Sequence, residues 1–501
     1  MKFQGFIGTS YTLDSINAES QASISLFPEG ISSGFGKEGQ IAYLRGSEGL
    51  KSVMNVGPGP IRLVHAENLD RSTNDFMTKP VVFVVSGNEV WRFEWDISNG
   101  YVGKRLGFLP TSTGVMRAAS NKFENAGIFG FNTVFVDGQD NYLYRVNSNQ
   151  DESAEQFGTF TSFGFNPVQG ATHVLWIDGY LIMNKKNTNQ FFVGEWQGLT
   201  FDPLSFASAE GDPDNIVAIE KNNRDLWLIN ERSIEIFSNT GNVDFPFERI
   251  TGAFIEKGCA APFSVGKIDG TIIWLGREES GQGAVYAAKS LTPQKISTNA
   301  IDQEISKYAN IEKATAYTYQ VEGHLFYVLN FDEATWVYDL SLNAWHQRSY
   351  LSEGFLQRHR GEAHDFFAPA GQQLVGDYFN NKVYHLSFNY FDDDGAEIPR
   401  IRRCPHLSND NKRVFYKEMQ IDLQGGVGTA TLDPVCLMRF SDDGGYVWSN
   451  NKSGTMGKIG QYAKRVIFRR LGYSFDRVFE IRITDKCKVA IINATLEVDS
   501  E

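Results

Sequence analysis

The stretch Arg439 to Asn450, RFSDDGGYVWSN, gathers side chains that could hold a proton, a metal or a sugar. Read from Ser441 it runs Ser-x-Asp-x-Gly-x-Val-Trp. Ser441 and Asp443 are short enough to turn their oxygens onto nearby backbone N–H groups, and Gly444 and Gly445 supply positive φ. Trp448 then packs the returning strand. These are the demands of a tight β-hairpin. Ser441, Asp443, Gly445 and Trp448 are therefore expected to form a structural turn rather than a reaction centre.

The same spacing lies one substitution from the Asp-box of sialidases, Ser-x-Asp-x-Gly-x-Thr-Trp, so sugar chemistry has to be weighed. A glycosidase needs two paired carboxylates, and none of the 60 acidic residues is singled out as a pair. A sialidase would also need three arginines on a substrate carboxylate and a tyrosine nucleophile, and no arrangement singles them out. Sialidases place several boxes within their blades, whereas this one is single and lies outside the repeats described below. A β-propeller glycosidase or sugar-binding protein is the alternative reading, supported by the box and the aromatic content.

Other clusters are weaker. His359, Glu362 and His364 in RHRGEAHDFF crowd three ligand types together, but not at the i, i+4 spacing of H-E-x-x-H; a polar loop before a strand is expected. Asp392, Asp393, Asp394 and Gly395 lack the rest of an EF-hand loop and read as a solvated turn. Cys259, Cys404, Cys436 and Cys487 show no C-x-x-C spacing, which argues against a zinc or redox motif and suits a reducing cytoplasm. Neither a P-loop nor a G-x-S-x-G motif occurs. No catalytic, cofactor-binding or metal-binding residue is nominated, and no cofactor is expected. The run KRVIFRR is different. Lys464, Arg465, Arg469 and Arg470 read either as a strand of mixed, solvated charge or as a contact patch for an acidic neighbour. Strand alternation would put Lys464, Val466, Phe468 and Arg470 on one face and Arg465, Ile467 and Arg469 on the other.

The elements that carry these residues are strands. The 501 residues allow roughly three domains at about 150 residues each. With 38 Phe, 20 Tyr and 48 Gly, aromatic-rich strands joined by glycine turns point to an all-β protein. The net charge of −13 disfavours non-specific adhesion to nucleic acid and suits a surface that DNA slides past. The first fifteen residues carry one Lys and no apolar run of signal-peptide length. The longest apolar runs, such as 81–85, are too short to span a membrane, so no membrane anchor is expected.

From about residue 60 to 395 one theme recurs. A strand rich in Val, Ile and aromatics meets a short polar turn, and the return strand carries an anchor pair. The pairs are Val90–Trp91, Leu143–Tyr144, Phe191–Phe192, Ile234–Glu235, Val285–Tyr286, Val337–Tyr338 and Val383–Tyr384. Their spacing of roughly 45–50 residues is that of propeller blades, each of which must stack on its neighbours to bury its faces. Six or seven blades are expected, with the repeated unit as the inner hairpin of each. Ile234–Glu235 is the poorest match, lacking the aromatic. Asn299–Ile311 reads as a short helix between blades, with Ile301, Ile305 and Tyr308 on one face. Beyond Pro399 four or five strand-like runs read as a separate β-sandwich-like or jelly-roll-like domain. The division is an extended N-terminal arm over 1–45, a propeller body over 46–395 and a β-sandwich-like domain over 396–501.

Several stretches in order resemble a known family: SINAESQASISLFPE, YLRGSEGLKSV, LSFASAEGDPDNIVAI, RSIEIFSNTG, IEKGCAAPFSV, VGDYFNNKVYHLSF, RFSDDGGYVWS and KRVIFRRLG. Their order and wording are similar to the packaged DNA stabilisation protein of short-tailed bacteriophages, the tail accessory factor or tail hub. The resemblance implies a non-enzymatic virion protein that closes the portal vertex after packaging and extends the ejection channel. It implies a homo-oligomeric ring, usually of six copies, beneath the portal-bound adaptor ring. A tail needle or plug would lie below, tailspikes or fibres at the sides, and packaged DNA would pass through without specific binding. It places the protein in the virion tail, assembled in the bacterial cytoplasm.

Overall fold

A computed structural model describes residues 2–30, 41–68, 80–125, 128–147, 155–166, 168–278, 281–410 and 412–500. Seven four-stranded antiparallel units follow one another around an axis. They begin at Ile61–Glu67, Arg117–Asn125, Val174–Ile177, Ile216–Asn222, Gly266–Ile268, Thr315–Val321 and Gly361–Phe367. Each first strand runs along the axis, and three more strands step outward. The seventh blade takes its outermost strand from the other end of the repeat. Gly49–Asn55 pairs with Lys382–Ser387, from Lys382 opposite Asn55 to Ser387 opposite Gly49. The ring is thus closed by hydrogen bonds between residues more than three hundred positions apart.

The anchor pairs explain why seven sheets become one ring. Each pair lies on the third strand of its blade, so the recurring hairpin is the middle pair of strands, not the inner one. Side chains alternate across a strand, so the two residues of a pair face opposite seams. Val90, Leu143, Phe191, Ile234, Val285, Val337 and Val383 each enter the apolar cluster shared with the following blade. Tyr144, Tyr286, Tyr338 and Tyr384 enter the cluster shared with the preceding blade, and Trp91 and Phe192 pack against theirs. Burying a large apolar side chain stabilises by about 1.5–3 kcal/mol, so each pair secures two seams. The exception has a reason. Glu235 replaces the aromatic, is fully buried, accepts the Gly211 N–H at 2.7 Å and pairs with Arg249 at 3.0 Å. Phe237, two residues on, supplies the missing ring to that seam.

The helix spans Asn299–Ile305 between the fifth and sixth blades, capped by the Thr298 hydroxyl, which accepts the Ile301 N–H. Ile301 and Ile305 are buried in the seam, with Tyr308 packed beside them.

The C-terminal strands form two sheets around one core. One sheet runs Leu26–Gly30, Ile41–Gly46, Ala490–Ser500, Val414–Leu423, Val466–Ser474. The other runs Ser20–Ile24, Arg400–Arg403, Asp476–Ile483, Val435–Ser441, Lys452–Thr455. Both contain strands from the first fifty residues. The N-terminal segment is extended, but its described strands are built into their own chain rather than laid on another surface, and 31–40 lie outside the described residues. Phe3, Phe6, Leu26 and Leu44 sit in the sandwich core with Phe479 and Leu496. Ser20–Ile24 also touches the outer strand of the sixth blade, Ala344–Ser352, in parallel at Ile24 and Gln347. One twelve-stranded hydrogen-bonded sheet therefore runs from the sixth blade into the sandwich.

Candidate functional site

The hairpin at Ser441 is a closed turn. The Ser441 hydroxyl donates to Asp443 at 2.6 Å and accepts the Gly445 N–H at 2.8 Å, while Asp443 accepts the Val447 N–H at 2.9 Å. The Ser441 hydroxyl and the Val447 N–H hold the Asp443 carboxyl below its usual range. Gly444 has φ +78°, and a Cβ there would lie 2.0 Å from Asn17 Oδ1. The turn is pressed against the N-terminal segment, which only glycine permits. Trp448 lies under two guanidinium groups, Arg439 at 4.5 Å and Arg403 at 5.1 Å from its ring, and both arginines bind Glu480. The Ser441 and Asp443 side chains thus both bond the backbone of their own turn.

The other clusters come apart in space. His359 is buried, Glu362 pairs with Arg358 at 2.6 Å, and His364 Nε2 lies 2.8 Å from Gln373. Glu362 and His364 belong to the innermost strand of the seventh blade, not to a loop before it. Asp392 binds Lys486 of the sandwich and Asp394 binds Lys382 of the seventh blade. The Leu50 N–H donates to the Asp392 carbonyl, and the Asp394 N–H donates to that of Leu50. This turn ties the ring-closing strand to both bodies. It is not wholly solvated: Asp393 is buried, and desolvation pushes its carboxyl up to about 7. Among the described residues no three His, Cys, Asp or Glu side chains gather around a metal position. The four cysteines are free and buried, and burial pushes their thiols up to about 11 or 12.

The basic run departs from strict alternation. Val466 and Phe468 are buried and Arg465 and Arg469 exposed, as expected of Val466–Ser474. Arg470 should have joined the buried face. Instead the register breaks between Tyr416–Gly472 and Glu418–Arg469, and Arg470 sits at φ +57°. The irregularity turns Leu471 into the core and leaves Arg470 outside. All four basic residues of the patch thus face solvent. Arg469 pairs with Glu418 at 2.8 Å, whereas Lys464, Arg465 and Arg470 have no ion pair among the described residues.

The innermost strands enclose a cavity of about 1210 Å³ lined by residues such as His65, Arg117, Lys267, Tyr317, His364 and Asp365. The motif-based reading missed one constellation here. His65 Nε2 lies 2.8 Å from Ser120 Oγ, and its Nδ1 lies 3.8 Å from Asp365 Oδ2. The order is that of a hydrolase triad, but the groups are engaged otherwise. Asp365 accepts the Ala66 and Phe366 N–H groups, and Ser120 also bonds Thr133 Oγ1 at 2.9 Å. Although 35% of the Asp365 side chain faces the channel, the wall pushes its carboxyl up to about 7; burial lowers His65 to about 4. At 3.8 Å the Asp365 carboxylate is beyond hydrogen-bond reach of the imidazole, and the contacts of His65 and Asp365 join strands of neighbouring blades. The three residues come from strands in three blades, so local spacing carried no signal of them.

Residues 37–390 match the family described as Bacteriophage P22 Gp10, beta-propeller, and residues 399–499 match Bacteriophage P22 Gp10, beta-sandwich. No curated protein matches the chain. Solved structures with some likeness include the exo-beta-1,3-galactanase of Phanerochaete chrysosporium, at 9% identity and TM-score 0.25, over 74% of this chain and 95% of that one. The N-terminal domain of Nup159 reaches 11% and 0.40, over 68% and 95%. The extracellular domain of a putative hybrid two-component system, BT4673, from B. thetaiotaomicron reaches 10% and 0.38, over 91% and 60%. With its propeller and its sandwich each matched in order, this chain belongs to the bacteriophage P22 Gp10 family, whose members are tail-hub proteins that stabilise packaged DNA.

Proposed function

We propose that this chain closes the portal vertex of a short-tailed phage as a ring of about six copies and extends the DNA ejection channel. The family match over both domains carries this reading. The ring would sit beneath the portal-bound adaptor, meet a needle or plug below, and offer its flanks to tailspikes or fibres. Assembly would take place in the host cytoplasm. Its working parts are a propeller body over 46–395 and a terminal sandwich over 396–501 that takes in strands of the first 45 residues. The gap between the two family matches, at 390 and 399, supports the second boundary.

Two physical features support a mechanical role. A channel for a polyanion needs walls that do not adhere to it, and the net charge of −13 supplies repulsion. A wall that resists internal pressure needs domains that do not hinge freely, and the twelve-stranded sheet joins propeller to sandwich through backbone hydrogen bonds. Neither feature requires a reaction.

The test is to add purified protein to DNA-filled heads that lack it. Nuclease protection of the packaged DNA should rise on addition. Heads that leak at the same rate with and without the protein would contradict the proposal. The free chain is expected to be monomeric or weakly associated, forming the ring only on its adaptor.

A further inference from the structure

Two windows of this chain carry opposite charge without admixture. Residues 187–220 contain six Asp and Glu and no Lys or Arg. Residues 444–475 contain six Lys and Arg and no Asp or Glu. The first window covers the outer edge of the third blade, the connection onward and the start of the fourth blade's innermost strand, where Glu220 lines the central cavity. The second covers the hairpin tip, the strands at 452–455 and 466–474, and the loop between them. In a chain with 47 basic and 60 acidic residues, unmixed windows of this length call for an account.

Pairing within the chain does not supply one. In the acidic window Asp214 is buried against the Arg232 and Ser233 N–H groups, and Asp212 pairs with Arg232. Glu195, Asp202 and Glu210 are exposed and have no ion pair among the described residues. In the basic window Lys458, Lys464, Arg465 and Arg470 are in the same position. A solvated face, or an edge strand charged to repel neighbours, would explain the charges alone. It would not explain what lies among them. Trp196 is 62% exposed and Leu204 82%, beside Phe206; Ile459 is 62% exposed and Tyr462 71%, with Tyr473 and Phe475 further along the strand. Exposed large apolar groups set among unpaired charges mark a surface that meets a partner.

We infer that these two windows are the two halves of one contact between copies: the basic sandwich edge of one subunit docks on the acidic rim of the third blade of the next. Apolar groups on each side cover those of the other, and Lys464, Arg465 and Arg470 face Glu195, Asp202 and Glu210. Glu195, Asp202 and Glu210 and Lys464, Arg465 and Arg470 are all exposed in the same chain, so they do not cover each other. A contact between two different surfaces repeats head to tail, and such contacts build rings when the rotation closes. The charges fix register and partner, and the aromatics supply the buried area. Nucleic acid could satisfy the basic window but leaves the acidic one and its exposed Trp196 unexplained. The inference rests on the ring reading above and adds which surfaces meet.

The test uses the full chain and two double variants, Lys464→Glu/Arg465→Glu and Glu195→Lys/Asp202→Lys, with the quadruple variant that combines them. Self-association of the free chain is measured by sedimentation at high concentration and low salt; DNA retention is measured on heads lacking the protein. Each double variant should weaken association at least about tenfold, and the wild-type association should fall with added salt. The quadruple variant, with both signs reversed, should recover association, which a misfolded protein cannot do. If the wild type seals heads and the double variants seal them equally well, the inference is overturned and the hub reading stands. If association follows the charge swap but heads still leak, the inference stands and the hub reading falls. If the wild type neither self-associates nor binds heads, or if reversing Lys464 and Arg465 abolishes only DNA binding, the inference is overturned.

Discussion

The propeller and the sandwich solve the same problem differently. Each must bury sheet faces that a single sheet leaves open. The propeller does so locally: each blade sends one anchor residue forward and one backward, and seven repetitions close the ring. The sandwich does so at a distance, by recruiting strands at 20–30 and 41–46 into sheets formed by 400–500. A repeat tolerates local substitution, as Glu235 with Arg249 shows. A scaffold assembled from both ends of the chain depends on a few long-range fasteners.

The largest expected effect is at such a fastener. The fully buried Arg402 guanidinium donates to the carbonyls of Phe6 at 2.7 Å, Gly5 at 2.9 Å and Thr9 at 3.1 Å, and to the Gln21 side chain. Arg402→Ala strips partners from buried carbonyls and should cost about 3–5 kcal/mol. Denaturant unfolding followed by Trp fluorescence should show it, together with protease cleavage before residue 25. Cleavage no faster than in the wild type would mean that the N-terminal strands are held by other means.

A comparable loss confined to one seam is expected for Tyr384→Ala, at about 3–4 kcal/mol, since the ring is fully buried between the sixth and seventh blades and bonds Asp377 at 2.7 Å. Hydrogen exchange should rise in those two blades, with the sandwich unchanged. Equal loosening of both bodies would erase the contrast drawn above.

These two sites also mark what the sequence could reveal. The anchor pairs were legible because alternation places neighbouring residues on opposite faces, and a blade needs both. The pairing of Ala22 with Arg403 was not legible, because no local pattern specifies a partner nearly four hundred residues away. The assignment of the recurring hairpin to the inner strands missed because the first strands carry polar channel residues and lack an anchor pair. The Ser441 turn was legible down to its hydrogen bonds, since its partners lie within six residues. The burial of Asp393 was hidden, because an acidic run reads as solvated until the strands around it are known. Arg470 was placed on the wrong face because a register irregularity leaves no mark in an alternation pattern.

Acid should weaken the propeller through its buried histidines. Burial lowers His173 and His346 to about 3 and His359 well below its usual value, so all three stay neutral in the fold. Below pH 6.5 the unfolded chain takes up protons that the folded chain refuses, so this stability is present above 6.5 and is lost as pH falls. Asp393, raised to about 7, works in the opposite sense, holding a proton in the fold as pH falls below 7. His346→Phe, at a ring tilted against Phe27 and edge-on to Phe326, removes one such group. The slope of stability against pH between 6.5 and 4 should fall by about one proton, roughly 1.4 kcal/mol per pH unit. An unchanged slope would show that His346 is charged in the fold.

The smallest effect is in the sandwich edge. Arg470→Gly relieves a side chain held at φ +57° and should leave the fold unchanged or stabilise it by up to about 1 kcal/mol, read as a small rise in Tm. A clear loss of stability would mean that the Arg470 side chain holds the strand.

The central claim is that propeller and sandwich act as one rigid wall segment of a closing ring. Electron cryomicroscopy of the protein on DNA-filled heads that lack it tests this directly. The account predicts a ring of density beneath the portal into which the whole chain fits as a single body, on heads that retain their DNA. Heads without added density that still lose their DNA, or a ring in which the two domains fit only after separate rotation, would contradict it.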